Sequence, residues 1–186
     1  MSWTRRALTA ALIATTLAAG GAALAADDPV KPEKHPIEPF VGVYAGTGVS
    51  ELVGGKQSKV TQRDYDVDVA KDGDNFKVIW SSIDFRVNDG QTNPKAQSQT
   101  VVFQPTVNGK LFKGPEADLM QGQTQYWSSI DGNALTVYSL TISESGGYIL
   151  NAWTRTLQGK NLLLAFRSTV DGAIRRTATG TLAKKQ

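Results

Sequence analysis

The sequence predicts an all-β protein, a single antiparallel up-and-down β-barrel of about 8–10 strands. Three observations carry this expectation. After an Ala-rich N-terminal stretch, no segment holds a sustained helical hydrophobic period. Short runs rich in Val, Thr, Tyr, Phe and Trp follow one another along the rest of the chain. Between them stand turn pairs such as Asn108-Gly109, Asp131-Gly132, Gln158-Gly159 and Asp171-Gly172, which favour tight reversals between antiparallel strands.

The chain opens with MSWTRRALTAALIATTLAAGGAALAADD. Arg5 and Arg6 form a positive head, Ala7–Ala19 an apolar core, and Ala23-Leu24-Ala25 a small-residue cleavage pattern, so residues 1–25 read as a secretory signal peptide. A membrane anchor is the alternative, but the apolar run is Ala- and Gly-rich and short of the roughly 20 residues a span needs. Thr4-Arg5-Arg6-Ala7-Leu8 partly matches a twin-arginine export pattern and lacks its usual Phe-Leu-Lys continuation. No Cys follows the apolar core, which excludes a lipid anchor of the bacterial lipoprotein type. The expected location is the periplasm or the exterior. Residues 26–39 carry four prolines and many charges and are expected to form an extended leader.

The barrel domain is expected over 40–184. Its strands read as Phe40–Glu51, Lys59–Ala70, Phe76–Val87, Gln97–Val107, Lys110–Lys113, Gln123–Ile130, Ala134–Ser143, Tyr148–Leu157, Asn161–Val170 and Ala173–Ala183. A polar loop, NDGQTNPKA, separates the third from the fourth, and the loop GPEADLMQG has room for one helical turn. An open sheet of that many strands leaves two exposed edges, and closure removes them. A β-sandwich is the architectural alternative.

Alternation assigns the faces. In RDYDVDVA, Tyr65, Val67 and Val69 share one side and Asp64, Asp66 and Asp68 the other. Carboxylates two apart on a strand project the same way, about 7 Å apart. They suit a cation site or, with no metal needed, a solvated outer face. Phe76, Val78, Trp80 and Ser82 lie together, as do Asn151, Trp153 and Arg155. Leu162, Leu164 and Phe166 oppose Leu163, Ala165 and Arg167. One short repeat, Trp80-Ser-Ser-Ile-Asp84 and Trp127-Ser-Ser-Ile-Asp131, suggests either duplication or chance reuse of good strand letters. Its flanks do not align, which favours chance.

In FVGVYAGTGVSE, Gly42, Gly46 and Gly48 stand at even spacing on the face of Tyr44. Glycine in a strand marks a bulge, a sharp bend, or the close approach of a ligand or another backbone. Gly42-x-Tyr44 resembles the Gly-x-Trp motif on the first strand of lipocalins. The longer Gly42-x-Tyr44-x-Gly46-x-Gly48 is similar to the Gly-x-Trp-x-Gly-x-Gly opening of nitrobindin-like barrels, relatives of the fatty-acid-binding proteins. The resemblance covers about seven residues. It implies a calycin-like barrel whose first-strand aromatic packs at the closed end against an Arg from the last strands. Arg167, Arg175 and Arg176 are the candidates, with Arg167 the first choice. Tyr44 departs from the usual Trp. The late His through which nitrobindin-type proteins hold haem is also missing, so haem of that kind is not expected. Tyrosine ligates ferric haem in other proteins, and Tyr138 and Tyr148 are the candidates for that here.

Composition narrows the chemistry. All 17 acidic residues follow position 25, while Arg5 and Arg6 of the 20 basic residues precede it, leaving 18 − 17, about +1. That balance argues against nucleic acid. There are no cysteines, and the single His35 lies in the polar leader. Thiol chemistry, Ser-His-Asp chemistry and His- or Cys-built metal sites therefore lack their residues. No cofactor and no metal site are expected. The leading expectation is a non-catalytic carrier of a small hydrophobic or amphipathic ligand, lined by Trp80, Trp127, Tyr138, Tyr148 and Trp153, with Arg155 or Arg167 for an anionic head group. For each of these residues a packing role is the competing reading. A filled barrel that binds an envelope protein through its loops is the functional alternative. An enzyme using Glu51, Glu116 or Glu144 is a third, though no spacing pairs these carboxylates.

Overall fold

A computed structural model of the chain describes residues 37–54, 59–88, 91–107 and 109–186, with 84–95 described by backbone alone. The signal-like segment, most of the leader and His35 lie outside the described residues. Ten strands follow: β1 (Gly42–Leu52), β2 (Lys59–Asp72), β3 (Asn75–Asn88), β4 (Gln91–Pro105), β5 (Leu111–Lys113), β6 (Gln125–Asp131), β7 (Ala134–Ile142), β8 (Tyr148–Gln158), β9 (Asn161–Val170) and β10 (Ala173–Lys184). They close in the order β1-β10-β9-β8-β7-β6-β5-β4-β3-β2, each neighbouring pair antiparallel. The expected meander is therefore a closed barrel, and the sandwich is not formed. Among the described residues no helix is long and apolar enough to cross a membrane.

Two segments differ from the sequence reading. Packed structure begins inside the stretch expected to be an extended leader: Glu38–Phe40 makes a 3-10 turn, and Ile37 and Phe40 are buried in the core. Two apolar letters among prolines and charges are too few to show a period, yet they suffice to cap one end of a barrel. NDGQTNPKA, expected to be a loop, pairs as the end of a long hairpin, with Asn88 opposite Gln91 and Lys95 opposite Asp84. Residues 96–100 of β4 are exposed on both faces. A strand wet on both sides needs no alternation, so its polar letters imitate a loop.

The glycines of β1 mark the closure seam. Gly46 pairs with Leu182, and Gly48 with Gly180, across β1 and β10. A Cβ on Gly46 would run into the carbonyl oxygen of Thr181, and one on Gly48 into that of Thr179. One on Gly180 would lie 2.8 Å from the carbonyl oxygen of Thr47. First and last strands thus approach more closely than side chains permit, which is the close-backbone use of glycine.

Below the seam the barrel is filled. Phe76 packs against Phe103 at 5.3 Å and edge-on to Phe112 at 4.9 Å. Ile130, Leu135, Leu162 and Leu182 complete this floor. Tyr44 is 1% exposed, and its hydroxyl donates to the Phe40 carbonyl at 3.0 Å. Its cationic neighbour is Lys184, its register partner, with the ammonium 5.7 Å from the ring and donating to the Val41 carbonyl at 2.6 Å. The resemblance implied an Arg here. Arg167 instead stands on the outward face of β9, opposite Ala152 and Thr177, so strand parity alone keeps it from Tyr44.

Gly46→Val places branched carbon against the Thr181 backbone, which cannot rotate away. It should cost about 1–3 kcal/mol or more in urea unfolding. Gly73→Asn, at a turn glycine with φ of 63° and open space around it, should cost well under half of that. Equal effects at the two sites would remove the seam from this account.

Candidate ligand cavity

The inward-facing residues change character along the barrel axis. At the end capped by the Glu38–Phe40 turn they are large and apolar. At the other end, where β1 meets β2 and β9 meets β10, they are small or polar. Ser50 and Ala178 line the seam, Ser82 and Gln97 lie on β3 and β4, and Thr141 and Asn151 on β7 and β8. A cavity of about 450 Å³ opens among them, a size that holds one small molecule. The collar is already hydrogen-bonded within itself: Asn151 Nδ2 donates to Ser139 Oγ at 3.1 Å, and the Thr124 and Thr141 hydroxyls lie 2.8 Å apart.

An aromatic layer forms the waist of this cavity. Trp80 of β3 and Trp153 of β8 meet at 5.3 Å between ring centres. Phe166 packs on Trp153 at 5.2 Å, and Tyr126 stands edge-on to Trp80 at 6.3 Å. Tyr65 of β2 adds a further ring to the wall. Burial pushes the Tyr126 phenol above its usual value, so it offers a neutral hydroxyl.

At the bottom of the cavity lies Arg155. It is 0% exposed and leads the fully buried side chains in size. Its guanidinium sits 5.5 Å from the centre of the Trp80 ring, and Nη1 donates to the Trp153 carbonyl at 3.4 Å. Nε and Nη2 have no protein acceptor. Burial pulls its pKa down to about 9, which still leaves a cation at neutral pH. A buried charge without a counter-ion is destabilising unless something else meets it.

Arg63 and Arg176 also line the cavity. Asp66 touches its wall, but the carboxylate is on the outer side of β2, paired with Lys185 at 3.1 Å. The Asp64, Asp66 and Asp68 row is thus an outer face. Among the described residues no His, Cys, Asp and Glu cluster could hold a metal. Glu51, Glu116 and Glu144 are absent from the cavity wall.

Of the residues expected to line a cup, the structure brings Trp80, Trp153 and Arg155 together. Trp127 and Tyr138 stack on each other, at 5.1 Å and 10°, on the outward faces of β6 and β7. Tyr148 is 40% exposed at the rim, and Arg167 points outward. Neither Tyr138 nor Tyr148, the haem-ligand candidates, faces the cavity. The physical reason is parity. In Gln125–Asp131 the inward set is Tyr126, Ser128 and Ile130, which puts Trp127 out. The two copies of Trp-Ser-Ser-Ile-Asp therefore face opposite ways, Trp80 inward and Trp127 outward, as chance reuse implies. Sequence reasoning missed Tyr126, Phe166, Arg63 and Arg176 as lining residues. Phe166 and Arg63 were legible, since they share a face with Leu164 and with Tyr65.

No protein-family model and no curated protein matches the chain. Among solved structures it is similar to an S-type phycobiliprotein lyase, CPES, from Guillardia theta, at 7% identity. That match covers 81% of this chain and 90% of that one, with a TM-score of 0.31.

Arg155 carries a stability signature that can be measured. Its folded pKa, about 9, lies below the ordinary arginine value of the unfolded chain, so above about pH 9 the unfolded chain binds the extra proton. The penalty acts in full below about pH 9 and is relieved as pH rises further. Arg155→Met should therefore raise unfolding stability at pH 7 by at least about 1 kcal/mol. A loss of that size would make Arg155 a structural partner instead.

Proposed function

We propose that this protein is an exported, non-catalytic, calycin-like carrier that holds one small amphipathic molecule in the open half of its barrel. The observation that carries this reading is the cavity of about 450 Å³, with an aromatic waist and a polar collar. A barrel built only as a scaffold has no use for a hollow half, since interior side chains could fill it as they fill the floor. The envelope-interaction alternative called for a filled barrel, and the cavity weighs against it. The enzyme alternative lacks carboxylates in the cavity wall, where acid–base chemistry would need them. Export rests on the signal-like first 25 residues, with the prolines after them as a spacer.

The reading is tested with N-phenyl-1-naphthylamine, a neutral apolar fluorophore. Saturable uptake at one probe per chain is the expected result. Ala178→Phe puts a ring into the cavity from β10 and should weaken uptake about tenfold or more, with the urea midpoint little changed. Uptake unaffected by that substitution would place the probe outside the barrel and overturn the proposal. Native mass spectrometry of protein taken from its own cells, followed by solvent extraction, then identifies the class of any bound molecule.

A further inference from the structure

The orientation of Arg155 says more about the ligand, on the premise that the cavity is a binding site. A guanidinium has a side-on edge, formed by Nε–H and the Nη2–H that lies parallel to it. These are the two nitrogens of Arg155 left without an acceptor, while Nη1 is turned to the Trp153 carbonyl. A pair of parallel N–H donors matches a planar oxyanion bidentately. No inward carboxylate among the lining residues competes for this edge, because the Asp66 carboxylate is held outside by Lys185.

The layers above Arg155 complete the description. Trp80, Trp153 and Phe166 form a flat-walled waist. Over it stands the collar of Ser139, Thr141 and Asn151. Polar groups therefore lie at both ends of the cavity, with aromatic surface between. A long-chain lipid would leave its tail against that polar collar. A neutral apolar molecule would leave the buried charge unmet.

We infer that the ligand is a compact aromatic acid: its carboxylate takes the free edge of Arg155, its ring lies against the tryptophan layer, and a second polar group at its far end meets the collar. The edge is shielded from solvent, so the guanidinium turns up toward the cavity as the acid arrives. The ion pair then forms in a desolvated site, where a charge-assisted hydrogen bond is strongest.

Isothermal titration with three related probes tests this. 2-Naphthoate should bind about tenfold or more tightly than 2-naphthalenemethanol, its neutral counterpart. 6-Hydroxy-2-naphthoate should bind more tightly again. Arg155→Gln should remove the preference for acid over alcohol while leaving the alcohol bound. Arg155→Lys, which keeps the charge and loses the fork, should retain part of it. Equal binding of acid and alcohol by the wild-type protein would overturn the anion assignment while leaving the carrier reading intact. If none of the three binds and N-phenyl-1-naphthylamine is also refused, the carrier reading falls and this inference with it. The wild-type comparison stands even if the Gln variant fails to fold.

Discussion

The constraint on which the molecule depends is the approach of β1 to β10. A meander of ten strands has two free edges until its first and last strands pair, and only that pairing makes an inside. The pairing is close enough that Cβ atoms at Gly46, Gly48 and Gly180 have no room beside the partner backbone. The same bareness has a second consequence. Continuing along the seam toward the mouth, the inward positions are Ser50 and Ala178, which are also small. The wall that must be thin for closure is thus also the wall that gives the cavity its volume. Closure and hollowness follow from one local run of sequence, the glycines serving the first and the small residues beyond them the second.

The interior is divided by the aromatic layer. Beneath it the phenylalanines, Tyr44 and the aliphatic residues of β7, β9 and β10 form a packed core that holds the fold together. The Glu38–Phe40 turn and the Lys71–Glu38 ion pair, exposed and worth little in itself, close that end. Above the layer the same strands carry short polar side chains and no longer fill the space between them. The packed core and the cavity therefore occupy different halves of the same strands. Arg155 sits at the border, where it adds a desolvation cost to the packed half and a charge to the hollow half. A protein near its stability threshold does not keep such a cost in its core without a compensating role.

Much of the fold was legible because antiparallel hairpins leave strong local signals. Turn pairs mark the reversals at Asp72-Gly73, Asp131-Gly132, Gln158-Gly159 and Asp171-Gly172. Alternation on β2, β3 and β8 grouped the side chains as the structure has them, whereas β9, apolar on both faces, gave no such contrast and its Arg167 stands outward. What was not legible has a common physical cause. Where both faces of a strand are wet, as over residues 96–100, or both carry large side chains, as on β6, period-two reading has no contrast to work with. Trp127 and Tyr138 were offered for the cup on their size. Their stacking on the outer wall shows that an aromatic pair stabilises a strand pair from either side. Arg155 was placed on the correct face from Asn151-x-Trp153-x-Arg155, but its want of an acceptor is a three-dimensional fact that no spacing encodes.

Charge separation is hidden from composition in the same way. A balance near +1 after the first 25 residues suggests an electrically bland protein. Strand β2 shows why that is misleading: Arg63, Tyr65, Val67 and Val69 face inward while Asp64, Asp66 and Asp68 face outward. Positive and negative side chains at alternate positions cancel in the sum and separate across the thickness of one sheet. The inner wall collects Arg63, Arg155 and Arg176, and the outer face of β2 keeps Asp64, Asp66 and Asp68. Among the described residues that line the cavity, Arg155 is the one that is fully buried and has two nitrogens without an acceptor. The alternation that lets a polypeptide close into a barrel is thus also what sorts the charges of β2, and it brings arginines to the cavity without any excess of basic residues.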